Sequence, residues 1–323
     1  MQTLSLPGTP LRASRIAFGC MHLSRAWDQE PLTDAERKQT RALVEAALAQ
    51  GITLFDHADI YARGKSELLF GEVLADSPSL RDQMVLQSKC GIRFAHEPQA
   101  SSPGRYDFSY AHIISSVEGS LQRLQTDRLD LLLLHRPDPL GHPDEVARAF
   151  DDLQRSGKVL HFGVSNHTGA QIALLQKSVV QPLVVNQVEI SLLHHHLINE
   201  GVIAATEGTP YTASAGTLDY CRQHNILLQA WSPLAGGRLS QPETAEPALR
   251  LTSERVAYFA GKYGVSAEAI LLAWLLRHPA GIQAIVGTTN VERLIAATAA
   301  DGIELDREDW YDLFTAARGG PVP

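Results

Sequence analysis

The sequence alternates short apolar runs with longer segments of helical spacing. Eight such runs follow an opening pair of shorter ones. Apolar runs of this length, without alternating polar residues, are typical of parallel strands that helices cover on both faces. The eight runs are residues 16–19, 52–55, 84–88, 129–134, 159–164, 183–188, 226–230 and 282–286.

This alternation predicts an α/β fold, a (β/α)8 TIM barrel, as a single domain over residues 1–323. A closed barrel of eight units uses about 250 residues, and no linker or low-complexity segment interrupts the units. We also expect an N-terminal β-hairpin at residues 3–6 and 11–16, and additional C-terminal helices at 291–299 and 307–317. An open doubly wound sheet is the alternative, but its usual GxGxxG segment after the first strand is absent.

The segments between the runs predict helices with recognisable ends. Thr33 suits an N-cap with Glu36 three residues later, and Gly51 suits a helix stop. Two segments exceed ordinary loops, residues 93–107 and 194–212, and residues 201–216 are expected to form a surface loop or lid. The predicted helices are 33–50, 65–74, 109–125, 143–156, 168–176, 213–224, 253–262 and 266–277.

Composition excludes several classes of protein. The net charge is −8 and no run of Lys or Arg occurs, so we expect no nucleic-acid partner. Three cysteines without a CxxC pair predict neither a disulfide scaffold nor a zinc ribbon. No apolar stretch is long enough for a membrane span, and the polar N-terminus lacks a signal core, so we expect a cytoplasmic protein. Three consecutive histidines, 194–196, cannot easily face one ion, so no metal site is predicted.

Polar residues follow three consecutive predicted strands. Asp56, Lys89 and His135 each stand at the end of a run, and Tyr61 lies five residues after Asp56. Since the carboxyl ends of barrel strands share one rim, these side chains are expected to meet there. A lysine ammonium favours phenolate in a nearby tyrosine, a carboxylate orients the lysine, and a neutral imidazole donates to a carbonyl oxygen. The set therefore predicts a proton relay.

Each of these residues also has an ordinary structural interpretation. An Asp at a strand end is commonly a turn or N-cap residue, and a His after an apolar strand is commonly a structural residue. It is the placement of all four at successive strand ends that favours catalysis.

Seven blocks of the sequence resemble, in order, the signature blocks of the aldo-keto reductases. The resemblance covers about residues 12–300 and is closest to bacterial oxidoreductases that carry FDHADIY and HRPDP. The blocks are FDHADIYARGKSELLFG, QSKCG, LDLLLLHRPDP, GKVLHFGVSNH, NQVEIS, QAWSPLAGGRL and AIVGTTNVERL.

The resemblance implies NADPH-dependent reduction of a carbonyl to an alcohol. The family's catalytic Asp, Tyr, Lys and His correspond to Asp56, Tyr61, Lys89 and His135. Tyr61 would be the general acid, Lys89 would lower its pKa, and His135 would orient the substrate oxygen. The implied partner is a small carbonyl compound. Met21 and Trp27 are candidates for the wall of its pocket.

The resemblance also implies the cofactor site. Ser165, Asn166 and Gln187 would bind the nicotinamide carboxamide, and Trp231 would stack on the ring unless it simply packs in the core. The pyrophosphate loop would contain Ser232, Leu234, Gly236 and Arg238. The last block, at the start of a helix, would bind the adenosine phosphate through Gly287, Thr288, Thr289, Asn290 and Arg293.

The last block departs from the family pattern in two ways. Gly287 and Thr288 stand where many members have Lys or Ser, and Ala296 and Ala297 stand where the family has a Glu-Asn pair at the adenine. NADH is therefore the alternative cofactor. Two other functions stay open on the sequence: an NADPH-sensing regulatory subunit without turnover, and a barrel lyase that forms a Schiff base with Lys89. The oligomeric state is not predicted.

Overall fold

Strands account for a closed barrel and two small hairpins. The computed structural model describes residues 1–203, 215–243 and 245–323. Its strands are β1 (Thr3–Ser5), β2 (Arg12–Ser14), β3 (Ile16–Gly19), β4 (Leu54–Asp56), β5 (Val85–Cys90), β6 (Ile92–Arg93), β7 (Arg105–Tyr106), β8 (Leu129–Leu134), β9 (Val159–Ser165), β10 (Leu183–Glu189), β11 (Leu227–Trp231) and β12 (Gln283–Val286).

Eight of these strands close into one barrel. Going round it, the order is β3, β4, β5, β8, β9, β10, β11 and β12, and β12 pairs in parallel with β3. Each barrel strand pairs in parallel with its neighbours. This closure confirms the (β/α)8 barrel, and the alternative of an open doubly wound sheet is wrong.

Helices surround the barrel and follow its strands in the chain. They are α1 (Asp34–Ala49), α2 (Lys65–Asp76), α3 (Tyr110–Leu124), α4 (Pro143–Arg155), α5 (Gly169–Leu175), α6 (His196–Ile203), α7 (Thr217–Gln223), α8 (Arg250–Tyr263), α9 (Ala267–Leu276), α10 (Val291–Thr298) and α11 (Arg307–Arg318).

Local sequence signals set several helix ends. Thr33 caps α1 by accepting a hydrogen bond from the Glu36 N–H, and the Glu36 carboxylate accepts from the Thr33 N–H in return. These bonds satisfy amide groups that have no partner within the helix. Gly51 follows α1 with a φ of 78°, in the region that favours glycine. The N-cap predicted at Thr33 is therefore confirmed.

The structure adds elements within the segments predicted as long loops. β6 and β7 form an antiparallel hairpin at the two ends of the 93–107 segment, beginning one residue before it, and α6 lies near the start of the 194–212 segment. Residues 204–214, most of the predicted 201–216 loop, lie outside the described residues. Such short elements lack the length over which hydrophobic periodicity can be recognised.

The apolar core has two layers. The larger one lies between the barrel and its helices, and the smaller one lies in the amino-terminal part of the lumen. Leu6, in the turn of the N-terminal hairpin, is fully buried against lumen residues at the starts of barrel strands, such as Leu54 and Val85. The predicted N-terminal hairpin is therefore present as β1–β2, and it covers the amino-terminal end of the barrel.

Asp130 is the polar residue inside the apolar run of β8. Its carboxylate accepts a hydrogen bond from the Leu86 N–H at 2.8 Å and forms an ion pair with Arg81 at 2.9 Å. A buried carboxylate is tolerated when it is paired and hydrogen-bonded in this way.

Across the described ranges, no single helix is long and apolar enough to cross a membrane. Residues 247–263 and 267–276 reach that length and composition only as a pair, bent by 92° between them.

Candidate active site

The four residues predicted for the proton relay lie together at the carboxyl-terminal rim. Asp56 is the last residue of β4, Lys89 lies near the end of β5, and His135 follows β8. Tyr61 begins a short turn after β4. Parallel strands bring their carboxyl ends to the same rim, so these residues meet although they are spread over 80 positions of the chain.

Lys89 is the centre of this cluster. Its ammonium nitrogen lies 2.8 Å and 2.9 Å from the two carboxylate oxygens of Asp56. It also lies 2.9 Å from the Tyr61 hydroxyl oxygen and 2.9 Å from the His57 carbonyl oxygen. The side chain is fully buried, and a buried cation needs such acceptors.

The charge state of the cluster follows from burial and pairing. Burial alone would lower the pKa of Lys89, but Asp56 and Tyr61 outweigh burial, and the pKa lies above that of an ordinary lysine. Burial also raises the pKa of Tyr61 above 10.0, although the charge of Lys89 opposes this rise. The sequence predicts that Lys89 lowers the Tyr61 pKa. The charge of Lys89 does lower the Tyr61 pKa, but the net pKa is raised because burial has the larger effect. Tyr61 is therefore a protonated phenol at neutral pH.

His135 is a neutral imidazole beside Tyr61. The two ring centroids are 5.9 Å apart and the rings stand edge to face at 82°. Burial, together with the positive charges of Lys89 and Arg136, holds the pKa of His135 well below its ordinary value. Its Nδ1 atom is buried without a hydrogen-bond partner in the part of the chain that the structure describes. A neutral ring of this kind can donate to a carbonyl oxygen.

The turn that carries Tyr61 has unusual backbone geometry. Ala62, Arg63 and Gly64 all have positive φ, at 48°, 56° and 89°. A Cβ atom on Gly64 would lie 2.9 Å from the Arg123 side chain. Non-glycine residues enter this region only where the surrounding structure compensates for the strain. This strained turn begins at Tyr61, whose hydroxyl reaches Lys89.

A second layer of charge lies behind this turn. Glu67 is fully buried and accepts from the Arg123 guanidinium at 2.8 Å and from the Ser88 hydroxyl at 2.7 Å. Burial and the nearby Glu67 raise the pKa of Asp59 to about 7. These two acids are absent from the residues singled out on the sequence, since an acid in a helix or a loop gives no sign of its burial.

The residues predicted for the nicotinamide form one hydrogen-bonded group. Asn166 donates to the His135 carbonyl oxygen at 3.1 Å and to the Ser165 hydroxyl at 2.9 Å, and it accepts from the Trp231 indole at 3.0 Å. The Ser165 hydroxyl donates to the Gln187 carbonyl oxygen at 2.8 Å. These bonds hold the Trp231 ring in place at the end of β11. Their contact with a nicotinamide stays a prediction.

Gln187 has a contact that the sequence did not predict. Its Nε2 atom donates to Asp56 at 3.0 Å and to Gln229 at 3.0 Å, which uses both N–H groups. Only its Oε1 atom is left to accept a hydrogen bond from a carboxamide. Gln187 thus connects the predicted cofactor group to the proton relay.

The predicted pyrophosphate loop follows β11 and has a curled backbone. Ser232, Ala235, Gly236 and Gly237 have φ values of 51°, 47°, 68° and 82°. Successive residues with such geometry turn backbone N–H groups toward one side, which suits an anion. Leu234 packs on the core, and Arg238 forms an ion pair with Glu246 at 3.0 Å.

The last predicted block lies at the start of α10. Asn290 is the N-cap, accepting from the Arg293 N–H at 2.9 Å, and the Thr288 hydroxyl accepts from the Asn290 N–H at 3.2 Å. The Arg25 guanidinium donates to the Thr289 hydroxyl at 2.7 Å. Gly287 and Arg293 are exposed beside them. Two cations, hydroxyl groups and a helix N-terminus form a donor set that fits a phosphate group.

Aromatic side chains line one side of the mouth. Trp27 and Phe94 pack edge to face with centroids 6.4 Å apart, and Arg63 lies 4.5 Å from the centre of the Phe94 ring. Met21, just after β3, is 37% exposed, and Trp27 is 42% exposed. Both residues predicted for the pocket wall therefore lie at this rim with accessible surface.

The sequence reasoning also missed residues in the site and in the barrel lumen behind it. Arg25 and Phe94 lie in loops whose path only the fold defines. Three buried glutamines, Gln87, Gln229 and Gln283, lie inside strands that read as apolar runs. Gln87 stands two residues before Lys89. Because side chains two residues apart in a strand point to the same face, this spacing could have placed Gln87 next to the predicted relay.

The histidine run at 194–196 was considered above as a metal site. No group of three or more His, Cys, Asp or Glu side chains in the described ranges is arranged to hold a metal ion. His194 faces Glu189 at 3.4 Å, and His195 contacts the Leu192 carbonyl oxygen at 2.9 Å. The neighbouring histidines thus have different partners.

Comparison with known proteins agrees with this geometry. A sequence model described as the Aldo/keto reductase family matches residues 15–316. The chain belongs to this family. The predicted family is confirmed, and the match covers every barrel strand of this aldo/keto reductase family protein.

Several relatives are similar along their whole length. The chain is 40% identical over 326 residues to "Uncharacterized oxidoreductase YcsN" of Bacillus subtilis (strain 168), covering 100% of both chains. It is 38% identical over 323 residues to "6-dehydroglucose reductase" of Agrobacterium fabrum (strain C58 / ATCC 33970), again covering 100% of both. The solved glycerol dehydrogenase AKR11B4 from Gluconobacter oxydans superposes with a TM-score of 0.81 at 25% identity, over 99% of this chain and 97% of that one. These names support an oxidoreductase activity for this aldo/keto reductase family protein.

Proposed function

We propose that this protein is an NADP(H)-dependent oxidoreductase that reduces an aldehyde or ketone to an alcohol, with Tyr61 as the general acid. The observation that carries the proposal is the contact of 2.9 Å between the Tyr61 hydroxyl and the Lys89 ammonium, itself paired with Asp56. A protonated phenol next to a fixed cation can give up its proton when a neighbouring oxygen becomes negative.

Each residue of the relay has one task. Tyr61 donates its proton to the carbonyl oxygen, and Lys89 stabilises the phenolate that is left. Asp56 keeps Lys89 charged and oriented through two oxygen contacts. The neutral His135 ring donates a hydrogen bond to the same substrate oxygen and so aims the carbonyl. In the direction of alcohol oxidation, the Tyr61 phenolate acts as the base.

The nicotinamide cofactor supplies the hydride when bound. The residues that would hold it are Trp231 and Asn166 at the ring, the curled loop after β11 at the pyrophosphate, and the start of α10 at the adenosine end. Arg25 and Arg293 supply positive charge there. A second phosphate on the adenosine suits two cations, so we propose NADPH rather than NADH as the preferred cofactor.

Two other functions fit the structure less well. A Schiff-base lyase needs a neutral lysine, but Lys89 has four close acceptors and a raised pKa, so it is a bound ammonium. A regulatory subunit without turnover has no need of the complete contact chain from Asp56 through Lys89 to Tyr61. That chain favours a working enzyme.

Sugar-derived aldehydes are the first substrates to test. The name of the Agrobacterium relative states a reductase that acts on a dehydroglucose. We propose a small polyhydroxylated aldehyde as the substrate class of this protein.

The test is a titration followed by turnover. The purified protein would be titrated with NADPH and with NADH while tryptophan fluorescence is recorded, and then supplied with 4-nitrobenzaldehyde and with sugar aldehydes. Tighter binding of NADPH and its oxidation on adding an aldehyde would support the proposal. Binding without turnover by any aldehyde would favour the regulatory subunit, and failure to bind either cofactor would refute the proposal.

A further inference from the structure

The barrel lumen contains a layer of glutamines behind the proton relay. The interior of such barrels is commonly packed with bulky branched apolar side chains. Here four amide side chains from four strands are at most 2% exposed. They are Gln87 on β5, Gln187 on β10, Gln229 on β11 and Gln283 on β12.

Gln87 and Gln229 join opposite walls of the barrel. β5 and β11 are separated by three strands in either direction around the sheet. Yet the Gln87 Nε2 atom donates to Gln229 Oε1 at 2.9 Å, and Gln229 Nε2 donates back to Gln87 Oε1 at 3.0 Å. The amide layer therefore spans the lumen and is not a set of neighbouring pairs on one wall.

The layer ends on the Asp56 carboxylate. Gln87 Nε2 donates to Asp56 Oδ1 at 2.6 Å, and Gln187 Nε2 donates to the same oxygen at 3.0 Å. An ionised carboxylate only accepts hydrogen bonds. The atoms facing it have to be N–H groups, which fixes the orientation of both amides.

This orientation is passed on through the layer. The second N–H of Gln87 and of Gln187 goes to Gln229 Oε1. Gln229 Nε2 also donates to Gln283 Oε1 at 2.9 Å, and Gln283 Nε2 donates to the Ser14 carbonyl oxygen at 2.6 Å. A flip of one amide would bring oxygen against oxygen in a buried place, at the cost of an unpaired polar group. The layer has one arrangement, set at one end by Asp56.

From this arrangement we infer that Gln87 is a positioning residue for the proton relay and acts through Asp56. It holds the carboxylate in one orientation, so that both oxygens face the Lys89 ammonium. Gln229 in turn holds the Gln87 amide from the opposite wall. The inference rests on the proposed function, since the relay matters only if Tyr61 gives up a proton.

The consequence for the reaction is a loss that falls on proton transfer. Without the Gln87 donor, the Asp56 carboxylate keeps Gln187 as its amide donor but is held less firmly, and the Lys89 ammonium is then placed less precisely against Tyr61. The substitution should therefore lower kcat, while the KM for the aldehyde and the Kd of NADPH stay the same.

The test compares Gln87→Met with Gln283→Met in the full-length protein. Both substitutions remove one fully buried amide from the same layer and leave Gln229 with one partner fewer, but only Gln87 touches Asp56. The readouts are the melting temperature, the Kd of NADPH, and both kcat and KM for 4-nitrobenzaldehyde between pH 5 and 9.

We expect similar losses of melting temperature and unchanged NADPH affinity in both variants. Only Gln87→Met should lower kcat at neutral pH, by about tenfold or more, with the KM for the aldehyde unchanged. Equal kcat and KM values in the two variants would mean that the layer is structural only, and would overturn the inference.

Gln87→Glu provides a second test if Gln87→Met does not fold. The new side chain has the same length, but it donates to Asp56 only while protonated and places a second negative charge there once ionised. We expect kcat to fall with rising pH across a range in which the wild-type protein has a flat profile. A flat profile in Gln87→Glu would overturn the inference.

The wild-type protein separates this inference from the proposed function. If the wild type oxidises NADPH with an aldehyde, the comparison of variants decides on Gln87 alone. If the wild type binds NADPH but reduces no aldehyde, the proposed function fails and the inference fails with it.

Discussion

The ammonium nitrogen of Lys89 lies 2.9 Å from the hydroxyl oxygen of Tyr61. Both side chains are buried, and the Lys89 nitrogen is also 4.7 Å from the centre of the Tyr61 ring. A cation at this distance stabilises phenolate far more than the neutral phenol. In the proposed reaction, the contact therefore matters most when the proton leaves Tyr61.

Tyr61→Phe should remove the proton donor and leave the rest of the site in place. We expect kcat for aldehyde reduction to fall by about a hundredfold to ten-thousandfold, with the Kd of NADPH unchanged. Steady-state kinetics and a fluorescence titration measure the two quantities. Tyr110→Phe is the matched control, since it removes a hydroxyl bonded to Asp152 on the outer helices. A Tyr61→Phe variant that turns over like the control would show that Tyr61 is not the acid.

Lys89→Met should alter the pH dependence of alcohol oxidation. Burial and Asp56 both raise the pKa of Tyr61, and Lys89 opposes them. Without the ammonium, the Tyr61 pKa rises further, so the pH at which the rate of oxidation increases should move upward. The measurement is kcat/KM for an alcohol with NADP+ between pH 7 and 11. An unchanged profile in an otherwise folded variant would argue that Lys89 does not act on Tyr61.

Arg25→Ala should change the choice of cofactor. Arg25 bonds Thr289 at the start of α10, where the extra phosphate of NADPH is proposed to bind. We expect the Kd of NADPH to rise by about tenfold, as for the loss of a charge-assisted hydrogen bond, and the Kd of NADH to stay the same. Lys177→Ala is the control, because this exposed lysine precedes β10 at the opposite end of the barrel. Equal weakening of both cofactors would place Arg25 elsewhere than at that phosphate.

Stability should decrease below pH 6.5 because of two buried histidines. Burial lowers the pKa of His57 to about 3 and that of His167 to about 4. In the unfolded chain a histidine has a pKa near 6.5, so the unfolded state binds protons that the folded state does not. Each histidine should therefore lower the free energy of unfolding by about 2 kcal/mol between pH 7 and pH 5.

Asp59 should act in the opposite sense over the same interval. Burial raises its pKa to about 7, so the folded state takes up a proton first and gains about 2 kcal/mol on going to pH 5. Asp59→Asn removes this gain, and the loss of stability between pH 7 and pH 5 should become larger by that amount. Urea unfolding at both pH values measures it. Equal losses of unfolding free energy in the wild type and the variant would mean that Asp59 has the same pKa in the folded and unfolded states.

The relay could be predicted from the sequence because it depends on topology. Asp56, Lys89 and His135 end successive strands, and strands of a parallel barrel end at one rim, whatever their side chains do. The same rule does not say which side chains hold the relay in place. That depends on strand register and on closure, which bring Gln229 across the lumen to Gln87.

The direction in which the Tyr61 pKa is shifted could not be predicted for a related reason. The sequence places a cation near the phenol, but how deeply the phenol is buried depends on the turn at residues 61–64 and on the residues packed around it. Burial is a property of the assembled site, and here it outweighs the single charge.

The hairpin at the amino-terminal end closes the barrel on that side. With Leu6 sealed against the starts of the strands, anything that reaches Tyr61 and Lys89 comes and goes by the opposite rim. When two ligands enter a site through the same opening, they bind in a fixed order. The ligand that lies deeper binds first and dissociates last. When release of a product is slow, kcat measures the rate of that release. A faster chemical step at Tyr61 would then not increase kcat.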